Sequence, residues 1–352
     1  MAGLKKVVLR TGLEALYFSG AHRLLQPLFG GVGAILTLHH VRPPRSDAFQ
    51  PNRLLEVSPQ FLEDVIKGLR RAQVDIITFD EMHRRLMEQD FRRRFVCFTF
   101  DDGYRDNARY ALPILQKYEV PFAIYIPTSF PDRAGELWWL TLEAAIARQT
   151  RVALVMDGED RRYDCDSTEA KYELYEHIYW WLRSLDNEEE LRRAVRDLAT
   201  RYGVDPAAFC NDLCMTWNEI AEVAASPLAT IGAHTVNHVM LKKASAAQVR
   251  NEMQQSVAVI EAALGRKPVH FSYPIGDRTS AGPREFRIAA EVGFKTAVTT
   301  RPGVLFPEHA AHLTALPRIS LNGEYPQRRY AEVLLSGAAT ALWNRFRRVD
   351  AA

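Results

Sequence analysis

Nowhere in this chain of 352 residues do some 18 apolar residues run together without a charge, so the sequence predicts no membrane-spanning helix. Cysteine is scarce as well: Cys97, Cys165, Cys210 and Cys214 are too few and too scattered for a disulfide framework and read as reduced, packed thiols. Cys210 and Cys214 stand at helical spacing, but two ligands without a second pair do not make a metal site. Charge of one sign is missing too. The 45 Lys and Arg nearly balance the 43 Asp and Glu, leaving +2, which argues neither for nucleic acid nor for another polyanionic partner, and no nucleic-acid partner is expected. No repeat or low-complexity tract occurs. The first residues carry lysines but neither an apolar core nor a small-residue cleavage site, so secretion is not expected. The predicted location is the cytoplasm, at the inner face of a membrane if anywhere on one.

What is present is 47% hydrophobic residues, ample for a core, arranged in alternating patterns. Short apolar runs at Ala34–Leu38, Val74–Phe79, Val96–Phe100, Phe122–Ile126, Thr230–Gly232, Val269–Tyr273 and Lys295–Thr299 read as strands. Amphipathic helices lie between most of them. Ser58-Pro59 opens one with an apolar face through Phe61, Leu62, Val65, Ile66 and Leu69, and Ser245 with Gln248 predicts a capping box on another that Gly265 ends. Some seven βα units favour a parallel sheet or an incomplete (β/α)7 barrel. Residues 137–227 break the alternation and read as a mainly helical insertion on the rim, with Trp138 and Trp139 among several aromatics able to stack on sugar rings. Residues 1–30 read as an amphipathic helical segment packed on the domain or touching a membrane surface, residues 31–325 as the catalytic domain, and 326–352 as a last amphipathic helix.

Three strand-end motifs carry chemistry. In FTFDDGYRDN, Asp101 and Asp102 end an apolar run, and carboxyl ends of parallel strands are where catalytic side chains collect. Adjacent strand residues point oppositely, so both acids can serve one site only if the chain turns, which Gly103 permits. In HTVNH, His234 and His238 are four apart, metal-ligand spacing if the segment is helical or tightly turned; Thr235 stands where zinc proteases with HExxH carry their glutamate, so a base must come from elsewhere. The third stretch is FSYPIGD, Phe271 to Asp277.

In order and spacing, TFDDGY, HTVNH and FSYPIG resemble the first three motifs of the polysaccharide deacetylase family, the NodB-homology domain of carbohydrate esterase family four, over roughly Leu36 to Leu321. The resemblance implies that Asp102, His234 and His238 bind a divalent metal, usually Zn2+, that Asp101 is the general base, and that the backbone N–H of Ile275 donates to the oxyanion. Tyr273 and Pro274, with Trp138 and Trp139, are then the expected substrate contacts. The family's usual late Leu-x-His is not found after Arg318. ILTLHHV instead puts Leu38, His39 and Val41 at the first strand, similar to the circularly permuted branch that includes poly-N-acetylglucosamine deacetylases; a closed barrel makes its first and last strands neighbours. His39 is the candidate general acid and His40, facing the other way, its control. Ser272 stands where many members have an arginine that orients the base, a role Arg318 is expected to take. The implied activity is N-deacetylation of an amino-sugar oligosaccharide, polysaccharide precursor or glycolipid, with no obligate protein partner. Alternatives are a carbohydrate-binding or scaffold protein without turnover, and hydrolysis of a non-sugar C–N bond on the same fold.

Overall fold

Seven parallel strands make the centre of the computed structural model, which describes residues 2–351. They are β1 (Gly33–Leu38), β2 (Phe95–Phe100), β3 (Phe122–Ile126), β4 (Ala229–Ala233), β5 (His270–Ser272), β6 (Thr296–Pro302) and β7 (Leu316–Ser320). They pair in chain order around a ring. β1 closes it, meeting β2 from Gly33↔Phe95 to Leu38↔Phe100 and β7 at Leu36↔Ile319 and Thr37↔Ser320. This is a (β/α)7 barrel, one unit short of the eightfold form. Both faces of the strands are buried, and period two separates them: Leu36, Leu38, Phe98 and Phe100 pack outward under helices, whereas Ile35, Cys97, Tyr125 and Leu316 pack in the second cluster, inside.

The amino-terminal segment is two helices, α1 (Ala2–Phe18) and α2 (Ala21–Phe29), separated at Gly20 in the left-handed conformation (φ 72°). Helix α3 (Pro59–Arg71) starts as its sequence predicts, with Ser58 Oγ accepting from Phe61 N, and buries the expected apolar face. The expected strand Val74–Phe79 shrinks to Asp75–Ile76, paired to the start of β2. The reason is the cap that follows: Thr78 Oγ1 accepts from Glu81 N and, with Asp80 and Glu81 in the first turn, begins α4 (Phe79–Glu88). Phe79, Met82 and Leu86 of α4 then cluster with the barrel-interior residues. The seventh barrel strand is β7, which carries Arg318 in its middle.

The insertion has its own core, built by α5 (Trp138–Ala147), α6 (Thr168–Ser184) and α7 (Glu188–Tyr202). It is less purely helical than expected. Arg151–Met156 and Glu159–Asp164 form an antiparallel hairpin turned at Asp157-Gly158, both with positive φ, the Asp-Gly signal of a two-residue hairpin loop. Helix α8 (Ala246–Leu264) shows the predicted capping box at Ser245 and Gln248, and Gly265 ends it in the left-handed region. The carboxyl-terminal helix is also two: α9 (Arg328–Leu335), against which α1 packs through Leu13, and α10 (Ala338–Trp343), which packs on α2. Gly337 breaks it, at φ 74°, with the position of a Cβ only 1.9 Å from Phe29 O.

Candidate active site at the carboxyl end of the barrel

The inward series on β2, Cys97 and Thr99, continues to Asp101, whose N–H donates to Leu38 O at 3.0 Å as an extension of the β1–β2 ladder. The turn expected at Gly103 begins one residue earlier. Asp102 itself is left-handed (φ 72°) with Gly103 (φ 63°) following, and this brings the second acid onto the same rim. Thr235 (φ 65°), His238 (φ 53°) and Ile275 (φ 61°) share that conformation. A non-glycine residue held there stores on the order of 1–3 kcal/mol, and such strain persists where surroundings over-determine it.

The HTVNH segment is a tight turn, not a helix. Thr235, at the position of the missing glutamate, closes it by accepting from His238 N at 2.9 Å, while Glu252 of α8 accepts from Val236 N and Asn237 N. His234 Nδ1 donates to Ser272 O at 2.6 Å, which leaves Nε2 facing Asp102 Oδ1 at 3.5 Å. His238 Nε2 lies 3.3 Å from the same oxygen. Asp102, His234 and His238 are buried, and their potential ligand atoms fall within 4.8 Å of one another. Asp102 Oδ1 has no hydrogen-bond donor, and two imidazole nitrogens converge on it. Two neutral imidazoles and a carboxylate are a zinc-type donor set, so the residues fit a divalent cation. Burial pushes the His238 pKa down to about 3, which keeps its ring neutral and a competent donor. Burial acts to raise the Asp102 pKa, yet the net direction is downward and the carboxylate stays ionised.

Asp101 has a different partner. Arg318 grips it with both arms of its guanidinium, Nη1 to Oδ1 at 2.8 Å and Nη2 to Oδ2 at 2.6 Å. Arg318 is 1% exposed and is itself held by Thr299 O, Thr99 Oγ1 and Ser272 Oγ. Ser272 thus joins the two halves, its hydroxyl donating to Asp101 and its carbonyl orienting His234. Burial alone would raise the Asp101 pKa; the Arg318 charge outweighs it and holds the group below its ordinary value.

His39 and Ile275 line the same cavity as Asp102 and His238, a space of about 860 Å³. His40 points elsewhere: its Nδ1 donates to Asp106 Oδ2 at 2.6 Å and its ring stacks on Tyr104. Asp106, which also accepts from Val41 N, gave no separate signal in the sequence beyond following DDG. At Ile275 and Gly276 the backbone turns sharply, fastened by Thr300 through Ile275 O and Gly276 O, and the Ile275 N–H has no acceptor among the described residues. Trp138 and Trp139 are largely buried but contribute to the cavity wall, Trp139 resting 5.0 Å from the His238 ring. Two expected substrate contacts are not there. Tyr273 is wholly buried between Phe271 and Phe286 with its hydroxyl on Thr314 O, and Pro274 is buried outside the cavity lining, because the strand ends before the turn that exposes Ile275. The wall instead includes Asn52, Tyr175, Tyr179 and Trp180, partly from the aromatic-rich insertion that first suggested sugar stacking. Cys210 and Cys214 are free, buried thiols.

A closed parallel barrel with paired carboxylates and imidazoles at its carboxyl rim defines a hydrolase of the NodB-homology type. The polysaccharide deacetylase family profile matches residues 88–154 and 175–297, more than half of the chain, and the protein belongs to that family of N-deacetylases. The match does not reach His39 or Arg318. Among solved structures, the Streptococcus pyogenes deacetylase PplD in complex with acetate is similar, with a TM-score of 0.55 and 18% identity, covering 82% of this chain and 92% of that one. IcaB from Ammonifex degensii (TM-score 0.53, 18% identity, 86% and 97% covered) and the deacetylase domain of BpsB from Bordetella bronchiseptica (0.50, 19%, 82% and 95%) share the fold. No curated protein matches this chain in sequence.

Proposed function

We propose that this deacetylase is a divalent-metal-dependent hydrolase that removes N-acetyl groups from an amino-sugar oligosaccharide, polysaccharide precursor or glycolipid. The observation that carries the reading is the division of two adjacent carboxylates: Asp102 lines the cavity and faces two imidazoles, while Asp101 lies buried behind it on a guanidinium. Asp102, His234 and His238 would hold the cation, Zn2+ by their donor types, and when bound it supplies Lewis acidity to the acetamide carbonyl and lowers the pKa of water. Asp101 takes the proton of the attacking water; Arg318 keeps it ionised and aimed, acting as a positioning residue. The Ile275 N–H, left without an internal acceptor, donates to the developing oxyanion. His39 delivers a proton to the departing amine. Burial, only partly opposed by the nearby Asp102 and Asp101 carboxylates, holds its pKa below the ordinary value, so the proton it delivers is one it takes up during turnover. Trp138 and Trp139 offer apolar wall to a sugar face.

The test is acetate release from N-acetylated chito-oligosaccharides by zinc-loaded protein beside its Asp101→Asn variant. Release that vanishes in the folded variant supports the proposal. Sugar binding with no release by either protein overturns it in favour of a binding function, and ring opening of cyclic ureides with no acetate released from the oligosaccharides overturns the sugar reading.

A further inference from the structure

Nine of the thirteen exposed large apolar side chains among the described residues lie in α1, α2 and the chain from α10 to Phe346. Phe18 is 73% exposed, Leu24 79%, Leu28 63%, Leu342 58%, Trp343 66% and Phe346 61%. They form one region, since α2 packs on both α1 and α10 and the rings of Phe29 and Phe346 meet at 5.7 Å. The usual polarity of a surface helix is reversed here. On α1 the exposed positions 7–12, 15 and 18 are Val, Val, Leu, Arg, Thr, Gly, Ala and Phe, a single cation among them, and on α2 Leu24, Pro27 and Leu28 face out beside Arg23.

Charge supplies a second, independent observation. Residues 2–30 contain four Lys or Arg and a single acid, Glu14, and that acid is engaged by Tyr330 and Arg329. Residues 333–348 contain three arginines and no acid. Between α2, α3 and α9 lies a cavity of about 630 Å³ into which Arg23, Arg71, Arg93, Arg94 and Arg328 all contribute; its carboxylate, Glu332, is paired to Arg328 at 3.0 Å. Arg23, Arg71 and Arg94 have no carboxylate partner among the described residues, and the Arg94 Nε is buried without an acceptor. Burial depresses the Arg94 pKa with no acid to oppose it.

We infer that α1, α2 and α10 form a docking face for a bilayer bearing anionic headgroups, the exposed rings and leucines entering the acyl boundary and the arginine cavity receiving a lipid phosphate. An apolar patch of this size rimmed by cations is the signature of interfacial binding, in which neither acyl burial nor charge alone gives stable attachment. Arg10 of α1 also lines the cavity that holds His39 and Asp102, so the docked face adjoins the catalytic opening. Resting on the proposed hydrolase, this selects substrates whose sugar enters the cavity while their lipid stays in the membrane.

The experiment is cosedimentation of the full chain with vesicles of phosphatidylcholine alone or with about 30% phosphatidylglycerol, at low and high salt. The parent should bind the anionic vesicles at least tenfold more tightly than the neutral ones and release with salt. Leu24→Glu/Leu28→Glu/Trp343→Glu should lose binding to both, and Arg23→Ala/Arg71→Ala should lose the anionic preference alone. Inorganic phosphate that displaces the parent from vesicles would assign the cavity to lipid phosphate; phosphate that binds without displacing it would overturn that part. No binding by the parent, equal binding by the triple variant, or a dimer in light scattering that the triple variant abolishes while vesicles are ignored, each overturns the docking face. Vesicle binding is read without metal or sugar, so its failure leaves hydrolysis of soluble substrates standing, and the reverse.

Discussion

Replacing Arg318 by methionine removes the guanidinium that faces Asp101 inside the barrel while keeping much of the side-chain volume. The pair is buried, with bonds of 2.8 and 2.6 Å, so its loss strands a carboxylate out of water. Deleting one partner of such a pair costs about 3–5 kcal/mol. At about 2.1 cal/mol/K of unfolding entropy per residue, a chain of 352 residues has roughly 0.7 kcal/mol per degree, so the melting temperature should fall by about 4–7 °C. Turnover should fall further than stability suggests, because a base displaced by about 1 Å loses on the order of 100-fold. Differential scanning fluorimetry and kcat/KM for acetate release measure the two effects separately. The double variant Asp101→Asn/Arg318→Met should recover most of the lost melting temperature and stay inactive, since it removes both charges from the interior. An Arg318→Met protein that melts within about 1 °C of the parent at unchanged kcat/KM would refute the reasoning. So would single-variant losses that simply add in the double.

Zinc titration of metal-stripped protein should find one tight site that His238→Ala loses; a site surviving in that variant would remove His238 from the ligand set. His39→Ala should lower kcat by about 10²–10⁴-fold with zinc affinity unchanged, whereas equal rates in variant and parent would exclude His39 as the acid. Burial holds the His309 pKa at about 4, far below its unfolded value. The unfolded chain therefore binds the extra proton between about pH 6.5 and 4, and stability should drop by roughly 3 kcal/mol as pH falls through that window, with no contribution above it. Urea unfolding of His309→Gln should show a correspondingly flatter pH dependence, and an unchanged slope would contradict the assignment.

The barrel strands were legible where apolar runs were pure, as at β1, β2 and β3, and the helix starts where a hydroxyl cap preceded an apolar stripe, as at Ser58 and Ser245. Two elements traded places for opposite reasons. Val74–Phe79 looks like a strand by composition, but Thr78 and the acids after it form a better helix cap than the residues before it form a ladder. β7 is disguised by Arg318, a charge in a buried strand that becomes intelligible only once Asp101, 217 residues away in sequence, is seen opposite it. That Asp102, His234 and His238 come together was readable in motif order, while their geometry was not. Local spacing does not reveal that Asp102 takes the left-handed turn itself, that Thr235 folds HTVNH through its hydroxyl, or that Tyr273 turns into the core as Ile275 turns out. Those outcomes depend on partners from other strands, as does the division between His39 and His40, settled by Asp106 and Tyr104.

The closure of the ring by β1 also sets a schedule. β1, with His39 just after its end, leaves the ribosome before the other barrel strands, and β7, with Arg318, after them. Until β7 arrives, β1 lacks one of its two neighbours and Asp101 lacks its counter-charge. A nascent chain can therefore carry every motif of the site and still be inert. Pairing of the proposed base with its counter-charge coincides with completion of the barrel, so activity would report that the first and last barrel strands have found each other.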